Sequence, residues 1–105
     1  MINEQTEAAL KTHPDRNQVL LVGAETHVCV LQTFMDLAGR GYDVFLPVDA
    51  VTSIRSWERS IALQRMQAQG ATLTSVESAA FEMLGDYKNE LAKPLFRMLK
   101  ELGPP

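Results

Sequence analysis

The chain has a single cysteine, no long apolar run and no concentration of charge of one sign. One cysteine cannot build an internal disulfide framework or a zinc cluster, so a reduced, cytoplasmic setting is expected. No stretch approaches the ~18 apolar residues that cross a bilayer, which argues against a membrane partner. The polar opening Met1-Ile2-Asn3-Glu4-Gln5 is unlike a secretory leader. Ten Lys and Arg lie scattered among thirteen Asp and Glu, for a net charge of −3. That gives no basic stripe, and nucleic acid is a poor candidate partner. No internal repeat is present. What remains is 105 residues of average globular composition, 46% hydrophobic and 22% charged. This is one domain's worth of chain with one modest core.

Apolar spacing and turn residues predict alternating helices and strands. Residues 2–12 read as a short helix, with Ile2, Thr6, Ala9 and Leu10 near one face and Pro14 as its stop. The run Val19-Leu20-Leu21-Val22, ending at Gly23, reads as a strand buried on both faces. A helix over 27–38 follows, with Val30, Phe34 and Leu37 on one face. A second strand covers Tyr42 to Leu46 and should finish at Pro47. A helix over 56–69 would turn Ile61, Ala62 and Met66 inward. A weaker strand follows at 71–73. Thr74 and Glu77 have capping-box spacing and predict a helix running to Gly85. A last helix spans about Lys88 to Leu102, with Pro94 favouring a start near Lys93. Gly103-Pro104-Pro105 is a tail.

Strands alternating with helices call for right-handed βαβ units and a parallel sheet. The fold class expected is α/β, a three-layer α/β/α Rossmann-like arrangement. Three strands are few for a parallel sheet covered on both faces, and the most apolar strand comes first. A strand that looks central but has a neighbour on one side only suggests half of a doubly wound fold.

The chemistry, if any, centres on Gly23-Ala24-Glu25-Thr26-His27-Val28-Cys29. A strand stops, the chain turns, and a helix starts with a cysteine in its first turn. In open α/β sheets this is the edge where ligands bind. Amide hydrogens and the positive dipole end of a helix favour a thiolate, and also the oxyanion formed when it attacks a carbonyl. Thr26 is the expected N-cap. The residues leave a second reading open, since a lone cysteine is commonly a small buried hydrophobe.

Gly23 to Val30, then Gln32-Thr33, Gly41-Tyr42-Asp43-Val44 and Val48-Asp49-Ala50, together resemble the isochorismatase-like cysteine hydrolases. The nearest likeness is to isochorismatase-domain-containing proteins of eukaryotes, which Thr74-Ser75-Val76-Glu77-Ser78 also resembles. The likeness covers about residues 1–102. It implies Cys29 as nucleophile, a cis peptide between Ala24 and Glu25, and an oxyanion hole made by the amides of Glu25 and Cys29. The implied substrate is a small molecule with an amide or related C–N or C–O bond. The mechanism needs no metal and no cofactor, although some relatives bind zinc through residues of their N-terminal half.

Family members are nearly twice this length. The likeness therefore implies that residues 1–105 form the C-terminal half of the domain, as a truncated product, an alternative start or an incomplete gene model. The family's catalytic aspartate and lysine belong to the other half. Thr26, His27 and Asp49 are candidates for the substrate pocket; His27 fits the pocket mouth or solvent, and Asp49 fits a cap on the turn at Ser53. No convincing acid–base partner for Cys29 emerges. The isolated chain is expected to be inactive, and to associate with a second copy or with an N-terminal half. The rival reading is a non-catalytic binding or assembly module. Arg55 and Arg59 could meet an anionic substrate but fit a solvated helix face; Trp57 fits the core edge; Met35, Met66, Met83 and Met98 fit core or interface.

Overall fold

A computed structural model describes residues 2–85 and 90–102. The elements are α1 (Glu4–Lys11), β1 (Gln18–Leu20), β2 (Gly23–Ala24), a π-helical turn (Thr26–Val30) continuing into α2 (Leu31–Gly39), β3 (Asp43–Pro47), a 3-10 turn (Val48–Ala50), β4 (Val51–Thr52), α3 (Ser56–Ala68), β5 (Thr72–Thr74), α4 (Val76–Leu84) and α5 (Ala92–Leu102). The fold is α/β with parallel sheets, as the alternating pattern requires.

The main sheet has the order β1-β3-β5. Val19 lies beside Val44, and Leu46 beside Leu73. Pro47 ends β3 opposite Thr74, where its missing amide hydrogen costs the ladder least. A second ladder, not anticipated, pairs Gly23 with Val51 and Ala24 with Thr52. Two residues per strand give too short a pattern to register as alternation.

α2 and α3 cover one face of the main sheet. Val30, Phe34 and Leu37 from the first long helix meet Val44 and Leu46 of β3 and Ala62, Leu63 and Met66 of α3. Phe34, Leu46 and Met66 are the largest fully enclosed members of this core. Leu63 takes the place expected for Ile61, which is half exposed. With Ala62 and Met66 one turn apart facing the sheet, Leu63 falls beside them and Ile61 on the other flank. Trp57 is 58% exposed and not at the core edge. Of the methionines, Met66 is core, whereas Met35, Met83 and Met98 are exposed.

The strand at 19–22 is not buried on both faces. Leu20 is 46% and Val22 52% exposed; among the described residues β1 has β3 on one side and no strand on the other. The second face of the sheet is only partly covered. A cleft of about 500 Å³ there is lined by Leu20, Phe45, Ala79 and Met83, with Arg16 and Glu82 at its polar end.

Three local expectations differ in detail. Helix α4 starts one residue late: Ser75 caps it by accepting the Ser78 N–H, while Thr74 is used as the last residue of β5. Helix α5 starts at Ala92, which puts Pro94 in its first turn. The expected start at Lys88 and the tail at 103–105 lie outside the described residues.

α1 is capped by Asn3, which accepts the Thr6 N–H at 2.9 Å. It buries no residue, although Ile2 and Leu10 pack against the core. Its other tie is Glu7, 3.2 Å from Arg40 at the end of α2. Arg40 holds the Glu7 carboxyl below its ordinary value of 4.5, first by hydrogen bonding and then by charge, with Lys11 adding to it. A lowered carboxylate contributes stability above its ordinary value and loses it as pH falls through the lowered one. The protection factors of the α1 amides, observed exchange divided into the intrinsic rate at each pH, should therefore fall on acidification below that value, more steeply in the natural chain than in Glu7→Gln, and less at high salt.

Candidate functional site

The turn from β2 into the first helix carries the candidate chemistry. The peptide between Ala24 and Glu25 is cis, as the sequence resemblance implies. Gly23 has φ of 130°, a conformation side chains rarely adopt, so glycine suits the entry to the turn. The Glu25 carbonyl accepts from the N–H groups of both Val28 and Val30, at 3.1 Å each. Those bonds wind the Thr26–Val30 turn tightly around the residue that follows the cis bond. Cys29 sits in this turn, and its thiol is free and exposed. Among the described residues no hydrogen bond reaches its sulfur.

A second segment, the Ser53–Ile54 loop after β4, clasps the turn. Ser53 Oγ accepts the Thr26 N–H at 3.1 Å and lies 3.0 Å from His27 Nδ1. Glu25 Oε2 accepts the Ile54 N–H at 3.1 Å and lies 3.8 Å from the same His27 nitrogen. Glu25 and His27 are thus occupied with the loop. No hydrogen bond joins His27 to Cys29. Ser53 was expected to meet Asp49, but its contribution is to the turn, and the short β4 that it follows left no signal for this in the sequence.

Thr26 is not the N-cap. Glu25 occupies that position without a side-chain bond, and Thr26 is fully buried, its hydroxyl without a partner among the described residues. Its amide is the group that matters locally, through Ser53. Asp49 does not bond Ser53 either. Its carboxylate accepts the Val76 N–H at 2.9 Å and so holds the start of α4. Arg59 is also structural: its guanidinium donates to the carbonyls of Val48 and Val51. The 500 Å³ cleft is lined by none of the candidate site residues. No group of three or more metal-ligating side chains occurs among the described residues. No helix there is long and apolar enough to cross a membrane.

The exposed thiol thus follows a cis turn at the carboxyl edge of the parallel sheet. The isochorismatase domain model matches residues 1–78, and the chain belongs to that family. A secreted isochorismatase effector, Isc1, of Phytophthora sojae is 48% identical over 102 residues, covering 96% of this chain and 49% of the effector. The structure of MAR1 ribonuclease from Caenorhabditis elegans superposes with a TM-score of 0.88 at 36% identity, covering 100% of this chain and 53% of that one. The YcaC product of Escherichia coli, described as an octameric hydrolase of unknown specificity, gives 0.79 at 28% identity, covering 91% and 50%. The chain spans about half the length of the relatives it matches.

Two outcomes check this geometry. Iodoacetamide should alkylate Cys29 in the native protein at a rate near that of a small free thiol, whereas a buried cysteine would react only in denaturant. Ser53→Ala should lower stability in urea by about 1–3 kcal/mol, the range for leaving a part-buried amide unpartnered.

Proposed function

We propose that this chain carries the nucleophile-bearing half of an isochorismatase-like cysteine hydrolase that acts on a small amide or a related C–N or C–O bond. The observation that carries the reading is the exposed Cys29 thiol in the helical turn that follows the cis Ala24–Glu25 peptide. Residues 1–105 are then one part of a domain, the C-terminal half by sequence likeness.

In this mechanism the Cys29 sulfur attacks the substrate carbonyl carbon. The amides of Glu25 and Cys29 hold the oxyanion. The C–N or C–O bond breaks, the amine or alcohol leaves with a proton, and a thioester remains. Water then attacks the thioester, releasing the acid and restoring the thiol. The proton transfers need an acid–base group. Glu25 and His27 are tied to Ser53 and Ile54, so the group is assigned to the complementary half, where the family keeps an aspartate and a lysine. No cofactor or metal enters the scheme.

The absence of a hydrogen-bonded partner for the thiol among the described residues also favours a second reading, a non-catalytic binding or assembly module. The name of the C. elegans protein raises nucleic acid, but the net charge of −3 and the scattered cations count against it here. Assembly with other chains draws support from the octameric E. coli protein. A reducing cytoplasm suits a single exposed thiol, although the P. sojae relative is described as secreted.

An activated phenyl ester brings its own good leaving group and tests the nucleophile alone. The 105-residue chain should be acylated once, at Cys29, by intact mass, and Cys29→Ala should not. Amide turnover by the chain alone should not exceed background. Lack of acylation would favour the binding module; cysteine-dependent turnover would show that Glu25 or His27 serves as the base.

A further inference from the structure

The outward face of α3 is a surface that the proposed chemistry does not use. A helix face turned to water normally carries charge. The three charged residues of α3 lie elsewhere. Arg59 reaches the carbonyls of Val48 and Val51, and Glu58 and Arg65 share one flank, two turns apart. At about 100° per residue, Trp57, Ile61, Gln64 and Ala68 fall within about 60° of one another, on the side away from Leu63 and Met66. All four are exposed, Trp57 and Ile61 by about half. The other flank holds Ser60 and Gln67, exposed and uncharged. The whole outward face is thus free of charge and carries a tryptophan, the composition of an interface core rather than of a solvated helix.

The spacing of the four residues, four then three then four, is that of a seam between two packed helices. The seam is graded: its large residues, Trp57 and Ile61, lie toward the start of α3, and Gln64 and Ala68 toward its end. A second α3 laid antiparallel across a twofold sets Trp57 of one copy against Ala68 of the other, and Ile61 against Gln64. Large then meets small at every layer, and both pairings share one centre between residues 62 and 63. The flanks agree with the same twofold. Glu58 of each copy stands near Arg65 of the other, and Ser60 near Gln67. A parallel arrangement would crowd Trp57 on Trp57, leave Ala68 facing Ala68, and bring no acid to a base. A surface that complements itself in size and in charge about one axis fits a second copy of this chain.

We propose that the outward face of α3 is the contact of a twofold homodimer in which the two α3 helices pack antiparallel. The 13-residue helix offers a seam of only about 20 Å. Two such helices bury less than the ~1,200–2,000 Å² of a standard interface, so the dimer forms and dissociates with concentration. Neither Cys29 nor the open edge of β1 takes part, and the contact stands whether or not the thiol is a nucleophile.

Trp57 is the sole tryptophan of the chain, so its emission reports on the seam directly. In reductant, where Cys29 cannot cross-link copies, sedimentation of the 105-residue chain should show one chain passing to two as concentration rises. Trp57 emission should move to shorter wavelength in step. Trp57→Lys and Ile61→Lys, both at exposed positions, should each weaken the dimer about tenfold or more while the circular dichroism of the monomer is kept. Glu58→Arg or Arg65→Glu alone opposes like charges and should weaken it about threefold or more, and the two together should regain most of the loss. Leu20→Lys, on the open strand edge, should leave it unchanged. Four results would overturn the proposal: a monomer at every concentration, a dimer indifferent to both Trp57→Lys and Ile61→Lys, a dimer lost in Leu20→Lys, or a double charge swap weaker than either single change.

Discussion

The structure depends on β3. Among the described residues it is the only strand of the main sheet with a partner on each side, β1 along one edge and β5 along the other. Its Val44 and Leu46 side chains are buried under α2 and α3. A buried strand leaves no backbone group to water, so every carbonyl and amide of β3 must be met by a neighbour. β1 and β5 meet this requirement from the two sides, with Val19 beside Val44 and Leu73 beside Leu46. Where β3 ends at Pro47, the chain is released into the Val48–Ala50 turn and then into β4. The candidate site is built from that exit: β4 pairs with β2, and the next two residues clasp the cis turn.

The clasp explains why Glu25 and His27 are poor acid–base candidates in this chain although both lie close to Cys29 in sequence. Both side chains reach sideways to Ser53 and Ile54, and they fix the turn rather than serve the thiol. The Cys29 sulfur is left exposed, and among the described residues no hydrogen bond reaches it. The cleft on the second sheet face is a separate matter, since none of these residues lines it.

The sequence was legible wherever a single physical signal dominated. Val30, Phe34 and Leu37 share a face at helical spacing and are all buried. Pro47 marks the end of a strand because it lacks a ladder donor. The Gly23 to Cys29 motif located the cis turn through family likeness, and the turn is there. Legibility failed where a residue had two possible partners. Asp49 could cap its own turn or reach another element, and only the fold brings Val76 within 2.9 Å. Ser53 gave no periodic or compositional signal, because its partners Thr26 and His27 are more than twenty-five positions away. The strand at 19–22 has the apolar character of a central strand yet sits at an edge. Apolar composition is shared by central and edge strands, and only the pairing shows which of the two this one is among the described residues.

The single bond from Val76 to Asp49 has a mechanical side. Asp49 stands in the short stretch between the end of β3 and Ser53, and α4 rests over the open face of the sheet. The helix is thus pinned at its first amide to the same stretch that grips the cysteine turn. Any body that settles into the cleft and pushes α4 must either carry Asp49 with it or pull that amide off the carboxylate. In the first case the displacement is passed to a position four residues from Ser53; in the second the bond breaks and the cysteine turn is left as it was.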